Sequence, residues 1–221
     1  MRKLTDWLRP FLLIGLLAGA ATASAGVYDE LMKSAEMGDT DAVMELIGKG
    51  MDVNSTDRDG NTLLIIAARA GNGRLLEFLL GHRANTQKKN TFGDSALMFA
   101  AYRGDLPMVK QLLTAGADIN QPGWNALHYA AYQGRDEVAK LLLAQGADPN
   151  RRAQNGQTAL MLAAANGHAE VVKALLEAKA ERSYKDPQGN SASDLAQKGG
   201  NTQIMELLAS VAPNGEAATT R

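Results

Sequence analysis

The three histidines are the side chains best suited to metal binding or acid–base chemistry, yet their spacing favours neither. His82, His128 and His168 lie 46 and 40 residues apart and occupy different kinds of sequence position. A zinc site needs three or four converging ligands, and this spacing does not predict convergence. The sequence also has no nucleophile elbow, no phosphate-binding P-loop and no H-E-x-x-H motif. We therefore expect no catalytic residue, no metal site and no cofactor, and hence no enzyme.

The aromatic residues point to binding instead. Six of them fall between residues 92 and 132, namely Phe92, Phe99, Tyr102, Trp124, Tyr129 and Tyr132. Arg69 and Arg103 flank the same place. Tyrosine, tryptophan and arginine are enriched at binding hot spots because they bury a large area at low entropic cost. This part of the chain is therefore the candidate recognition surface.

A recurring ten-residue segment that ends in glycine shows how these side chains are positioned. Its clearest copy is TALMLAAANG at 158–167, and the closing glycines are Gly38, Gly71, Gly104, Gly134, Gly167 and Gly200. The steps between them are 33, 33, 30, 33 and 33 residues. A fixed period of this length predicts a stacked array of repeats rather than a globule with one central core.

Each copy predicts a short helix followed by a second one. Nine residues before each glycine stands a residue that can cap a helix N-terminus: Asp29, Thr62, Ser95, Asn125, Thr158 or Ser191. The glycine permits the left-handed turn that ends the first helix. Paired alanines in the middle allow neighbouring helices to approach closely. Leucine-rich pairs mark the second helix, and an exit loop such as GADIN at 116–120 leads to the next copy.

These copies resemble the ankyrin repeat, most closely at NGQTALMLAAAN (155–166), GHAEVVKALL (167–176) and GADIN (116–120). The resemblance covers about residues 28–211. It implies an all-α ankyrin solenoid of about six helix-turn-helix units with protruding finger loops. No copy has the family's proline after threonine, and Arg83 and Lys179 replace a loop glycine. One unit has lost three residues from its finger, QPGW at 121–124, which should form a shorter turn than its neighbours.

The repeats divide residues 26–212 into units of about 28–57, 58–89, 90–121, 122–152, 153–185 and 186–212. The first and last units are more polar, as terminal units of a solenoid must be. Asp52, Asp118 and Asp148 recur at one loop position, so we expect them to serve the repeat. The resemblance gives His128 and His168 the same kind of structural role. The tail, 213–221, has no periodicity and is predicted to be disordered.

Residues 1–25 have the pattern of a cleavable signal peptide. Arg2, Lys3 and Arg9 precede an apolar run at 11–21, and Ala23-Ser24-Ala25 supplies a cleavage site after Ala25. The run is shorter than the roughly 20 apolar residues that a membrane span needs. Removal of this leader would change the net charge from −1 to −3. A weakly acidic, exported chain without cysteine is not expected to bind nucleic acid, and we expect it in the bacterial periplasm.

In the architecture that the resemblance implies, two sets of positions face the concave side. The finger tips and the residues just before the helix-ending glycines give the predicted binding residues: Arg58, Asn61, Arg69, Phe92, Asp94, Tyr102, Arg103, Trp124, Tyr132, Gln133, Gln154, Asn155 and Asn166. Phe99 and Tyr129 are expected in the core, because Ile66 and Leu162 hold the equivalent positions. Alternatively, Trp124 folds over the short finger and the tyrosines only fill the groove.

The leading hypothesis is a monomeric, non-enzymatic scaffold that binds another folded protein. Short exported bacterial ankyrin proteins that it resembles include some linked to catalase activity and peroxide resistance, which implies an accessory factor for such an enzyme. A second hypothesis is an inhibitor or immunity protein that blocks a toxic or lytic enzyme of the periplasm. A third is a carrier of haem or another cofactor through tyrosine or histidine ligands.

Overall fold

Helices account for all the regular secondary structure in residues 26–210, the part of the chain that this computed structural model describes. The predicted leader with its cleavage site after Ala25, and the predicted tail at 213–221, lie outside the described residues. The helices form six consecutive pairs, so the predicted all-α solenoid is confirmed. The pairs are α1 (26–37) with α2 (Thr40–Gly48), α3 (Leu63–Ala70) with α4 (Gly73–Gly81), α5 (Ala96–Arg103) with α6 (Leu106–Thr114), α7 (Ala126–Gln133) with α8 (Asp136–Ala144), α9 (Ala159–Ala165) with α10 (Ala169–Glu177), and α11 (Ala192–Lys198) with α12 (Thr202–Ser210).

Most of the predicted caps fix the helix ends, but the Ser95 hydroxyl is buried without a hydrogen-bond partner and does not cap α5 as predicted. The hydroxyl of Thr62 accepts a hydrogen bond from the Ile65 amide at 3.2 Å, and Thr158 does the same for Met161 at 3.3 Å. Gly134 ends α7 with a φ of 67°, in the left-handed region that glycine enters without strain. Asp29 differs from the prediction, because it lies inside a helix that already includes residue 26.

The core is a continuous layer between successive pairs. The alanine pairs in the middle of α3, α5, α7 and α9 are fully buried, which lets these first helices pack side by side. In α4, α6, α8 and α10 the inward leucines Leu79, Leu112, Leu142 and Leu175 are fully buried as well. Each unit thus buries its apolar faces mainly against its neighbours, as in other solenoids.

Hydrogen bonds in the exit loops tie each unit to the next. The Asp118 carboxylate accepts from the Asn120 amide, and the Asn120 side chain accepts from the Asp148 amide, both at 2.9 Å. Asn150 repeats the second bond with the Glu181 amide at 2.7 Å. Asp52 and Asp148 accept the same bond as Asp118, from the Asn54 and Asn150 amides at 2.9 Å, so the predicted structural role of the recurring aspartates is confirmed.

Candidate functional site

The short finger opens a notch in the row of finger loops. Isolated β-bridges close three fingers, joining Thr56 to Thr62, Lys89 to Ser95 and Arg152 to Thr158, whereas the described residues 121–125 contain none. The full-length finger at 185–191 has no bridge either, but like the other three it is closed by a backbone hydrogen bond, from the Asp186 amide to the Asn190 carbonyl at 2.9 Å. The described residues 121–125 make no such bond, which confirms the shorter turn that the sequence predicted. An open groove of about 400 Å³ lies there, lined by Lys89, Phe92, Gly93, Asp94, Pro122, Trp124, Tyr129, Tyr132 and Gln154.

Aromatic rings form one connected cluster at this notch. The Trp124 ring centroid lies 5.3 Å from that of Tyr129 and 6.2 Å from that of Tyr132. Tyr102 extends the cluster, with its ring edge-on to Tyr129 at 6.0 Å. These distances and tilts lie in the favourable range for aromatic pairs. We call Phe92, Tyr102, Trp124, Tyr129 and Tyr132 the aromatic groove.

The aromatic groove exposes apolar surface that the rest of the described chain largely hides. Phe92 is 76 % exposed, Tyr102 41 % and Tyr132 43 %. The other large hydrophobic side chains with comparable exposure in residues 26–210 are Val27 and Met37, both on α1. Trp124 is half-buried and packs against the core, so its indole supports the groove as well as lining it. Exposed apolar clusters of this kind commonly mark interaction sites.

The prediction that Tyr129 belongs to the core is wrong, because its phenol reaches the groove. The Tyr129 hydroxyl donates a hydrogen bond of 2.8 Å to Asp94, which stands on the preceding finger. Partial burial and the neighbouring Asp94 carboxylate both raise the pKa of Tyr129, so its hydroxyl stays protonated and remains a donor. Ile66 holds the equivalent position in another unit and is fully buried, because an apolar side chain has no hydroxyl that needs a hydrogen-bond partner. Tyr129 has such a hydroxyl and is not fully buried. The same prediction holds for Phe99, which packs against the core while remaining half-buried.

Asn61, predicted to face a partner, is buried instead. It is only 2 % exposed, and its side chain donates to Asp57 at 2.7 Å and accepts from Asn90 at 2.9 Å. These bonds hold one finger and link it to the next finger. A buried amide must satisfy its polar atoms, and here protein partners do so. Asn61 therefore has a structural role in the fingers.

The remaining predicted residues are only partly brought together. The structure gathers Phe92, Asp94, Trp124, Tyr132 and Gln154 at the notch and places Tyr102 beside them. Arg58 lies at a separate groove beside α1, and the Arg103 guanidinium lies against Gly71 and donates to the Arg69 carbonyl at 3.3 Å. The other predicted positions do not line the notch: Asn155 and Asn166 are exposed, and Gln133 is half-buried.

Two residues that the prediction did not assign to the site hold the backbone of its tyrosines. Arg135 donates to the Tyr102 carbonyl at 3.1 Å, and His168 lies with Nε2 3.0 Å from the Tyr132 carbonyl. Each comes from the following unit, directly after its helix-ending glycine. That shared position is the signal by which the sequence could have identified Arg135. The structural role expected for His168 is confirmed.

His128 supports the aromatic groove from below. Its ring lies 5.9 Å from that of Trp124 and is 1 % exposed. Nδ1 lies 2.7 Å from the Asn125 side-chain oxygen, and Nε2 lies 3.1 Å from the Arg151 carbonyl. Burial lowers the pKa of His128 to about 4, so the imidazole is neutral at pH 7. The neutral imidazole carries a single N–H, so it donates to only one of these two oxygens. Both contacts hold the ring within the protein, which confirms the expected structural role.

Neither a metal site nor a membrane-spanning helix is found in the part of the chain that is described. No cluster of three or more potential ligands among its histidine and acidic residues could hold a metal ion. No helix there is long and apolar enough to cross a bilayer.

Family comparisons agree with the architecture. The model for ankyrin repeats in three copies matches residues 64–153, and two models for ankyrin repeats in many copies match residues 31–80 and 142–196. Together the matches run without a gap from residue 31 to residue 196. The chain belongs to the ankyrin repeat family. This family is generally a non-catalytic protein-interaction module.

Curated relatives share the repeat but are much longer proteins. The chain is 37 % identical over 79 residues to the B-cell lymphoma 3 protein homolog of Mus musculus, a match covering 35 % of this chain and 18 % of that protein. It is 34 % identical over 120 residues to ankyrin repeat and SAM domain-containing protein 6 of Rattus norvegicus, a match covering 53 % of this chain and 13 % of that protein. Ankyrin repeat domain-containing protein 29 of Danio rerio is 46 % identical over 55 residues, a match covering 24 % of this chain and 18 % of that protein. The matches thus span less than a fifth of each of these relatives.

Proposed function

We propose that this ankyrin repeat chain is a non-enzymatic scaffold that binds a folded partner protein through the aromatic groove. The observation that carries the proposal is the gathering of Phe92, Tyr102 and Tyr132, all exposed, around a half-buried Trp124 at the one shortened finger. Exposed aromatic side chains on a rigid support lose little entropy on binding, which is why they dominate interface energetics. The cross-unit bonds to the backbone of Tyr102 and Tyr132 provide that rigidity.

The proposed location is the bacterial periplasm, on the strength of the leader pattern at 1–25. Within it, we propose that the partner is an envelope enzyme, with a catalase or another enzyme of peroxide defence as the first candidate. The mass of the protein recovered from a periplasmic fraction tests the location. A chain beginning at Gly26 supports export, whereas an intact leader on protein found only in the cytoplasm contradicts it.

Partner capture tests the groove. The protein is immobilised, exposed to an extract of the source cells, and the bound proteins are identified by mass spectrometry. We expect Phe92→Ala combined with Tyr132→Ala to weaken capture about 30-fold or more, since the loss of even one hot-spot side chain costs about 2 kcal/mol or more. Because both side chains are substantially exposed, the melting temperature should change little.

Met37→Ala is the matched control, since Met37 is 74 % exposed but lies on α1, away from the notch. Equal capture by the double variant and the wild type would contradict the assignment of the surface. Trp124→Ala is a less suitable variant, because loss of its packing against the core would lower stability as well as binding. The activity of a captured enzyme, raised or reduced on binding, then separates an accessory factor from an inhibitor.

A further inference from the structure

The floor of the aromatic groove holds a carboxylate that the protein itself does not neutralise. Asp94 is half-buried and lines the groove. Its Oδ1 accepts the hydrogen bond from the Tyr129 hydroxyl, and within residues 26–210 its Oδ2 has no hydrogen-bond or ion-pair partner. A partly buried carboxylate is stabilised by a positive charge, and the open side of this one faces the groove.

The walls of the groove suit a planar cation. Trp124, Tyr129 and Tyr132 line the groove. Cations are attracted to the faces of aromatic rings, most strongly to that of tryptophan. The rings are already in contact with one another, with centroids 5.3 and 6.2 Å apart, so they leave no cage between them for a spherical ammonium ion. A flat guanidinium can instead lie against one exposed face while its N–H groups reach a carboxylate.

Lys89 is the one cation among the residues that line the groove, and its charge opposes that of an incoming cation. It forms no ion pair with Asp94 within 4 Å in the described chain. Asp94 is held by the Tyr129 hydroxyl, whereas in residues 26–210 the Lys89 ammonium makes no hydrogen bond or ion pair that would hold it in place. The fixed charge in the groove is therefore the negative one.

We infer that the aromatic groove takes an arginine side chain of the partner, whose guanidinium lies against the aromatic wall and donates hydrogen bonds to Asp94. This inference rests on the proposed function, because it names the chemistry of the group that the partner inserts. A lysine would supply the charge but not the planar fork of donors, so arginine is the better fit.

The test uses small probes and the chain that begins at Gly26, the form that the proposed export leaves, in which Trp124 is the only tryptophan and reports from the groove itself. N-acetyl-arginine amide is titrated while the Trp124 fluorescence is followed, with N-acetyl-citrulline amide as the uncharged isostere and tetramethylammonium as a cation without donors. We expect a saturable change with the arginine probe, with a Kd of about millimolar for a single charge-assisted contact. The citrulline probe and tetramethylammonium should bind at least about tenfold more weakly.

Two variants and one control locate the site. Asp94→Asn should weaken the arginine probe about tenfold, whereas Asp59→Asn, at an exposed carboxylate on another finger, should leave it unchanged. Lys89→Ala should strengthen binding, because it removes the opposing charge, and this gain does not depend on how Asp94→Asn affects folding. Equal binding of tetramethylammonium, or an unchanged Kd in both Asp94→Asn and Lys89→Ala, would overturn the assignment.

The outcomes for the probe and for the partner can be told apart. If the arginine probe fails to bind while Phe92→Ala with Tyr132→Ala still abolishes partner capture, the arginine assignment is wrong and the proposed function stands. If the probe binds at Asp94 but no protein is captured through the groove, the cation site stands and the proposed function fails.

Discussion

Acidification from pH 7.5 to pH 5 should destabilise this protein through His128, and over this range ordinary carboxylates stay mostly ionised. The imidazole is buried beneath Trp124, and its pKa is lowered to about 4 in the folded state. An unfolded histidine has a pKa of about 6.5, so below that pH the unfolded chain takes up a proton that the folded chain excludes. The stabilising contribution is therefore complete above about pH 6.5 and is lost as the pH falls towards 4.

The magnitude follows from the two pKa values. Each pH unit between them changes the free energy of unfolding by about 1.4 kcal/mol, so going from pH 7.5 to pH 5 should cost about 2 kcal/mol. For a chain of this length that corresponds to a melting temperature about 4–8 °C lower. Urea unfolding at several pH values, followed by circular dichroism, measures the slope directly.

The variant His128→Gln should remove the dependence of the free energy of unfolding on pH between 7.5 and 5, whatever the substitution does to stability at pH 7.5. His168→Gln serves as the control, because His168 is only half-buried. If His128→Gln and wild type lose the same free energy between pH 7.5 and pH 5, then burial of His128 does not set its pKa and the reasoning fails.

Two further predictions concern the framework that positions the groove. Gly134→Ala should lower the free energy of unfolding in urea by about 2 kcal/mol or more, because φ is 67° there and a Cβ would lie 2.5 Å from the His168 ring. Gly93→Ala is the control: φ is 88° there, but a Cβ would meet nothing within 4 Å, so only the backbone strain of about 1 kcal/mol should be lost. Similar losses for the two would show that the His168 contact is not tight. Asn90→Ala should cost about 1–2 kcal/mol, since its amide bonds Asn61 across two fingers, whereas the exposed Asn155→Ala should cost less than about 0.5 kcal/mol. A neutral Asn90→Ala would mean that the fingers do not depend on that link.

Local sequence predicted the helices because their signals are local. A cap such as Thr62 acts on an amide three residues away, and a glycine such as Gly134 adopts its own backbone conformation. Each unit repeats these signals, so the structure of one unit together with the repeat period is enough to predict the fold. The departures at Arg83 and Lys179 did not change the fold, since both residues adopt the left-handed conformation of the glycine they replace, with φ of 61° and 63°.

The misplaced residues are those whose partner lies in another unit. Tyr129 reaches the groove because Asp94, 35 residues earlier, stands opposite its hydroxyl. Asn61 is buried because Asn90, 29 residues later, donates to it. Comparison of equivalent positions cannot show such contacts, because it relates each residue to its counterparts and not to its neighbours in space. Reading the finger of one unit against the first helix of the next would have paired Asp94 with Tyr129.

The site arises where the period breaks, and this has a physical reason. In the regular units every described finger is closed by its own backbone hydrogen bond, as from the Asn90 amide to the Asp94 carbonyl, and this closure leaves less room for a partner's side chain. Loss of three residues before Trp124 removes one such closure, and the indole then contacts Tyr129 and Tyr132 while Phe92 stands across the notch. The regular units supply rigidity through bonds such as that from Arg135 to the Tyr102 carbonyl, and the irregular unit supplies the opening. Restoring the three residues should therefore leave the solenoid folded and close the groove.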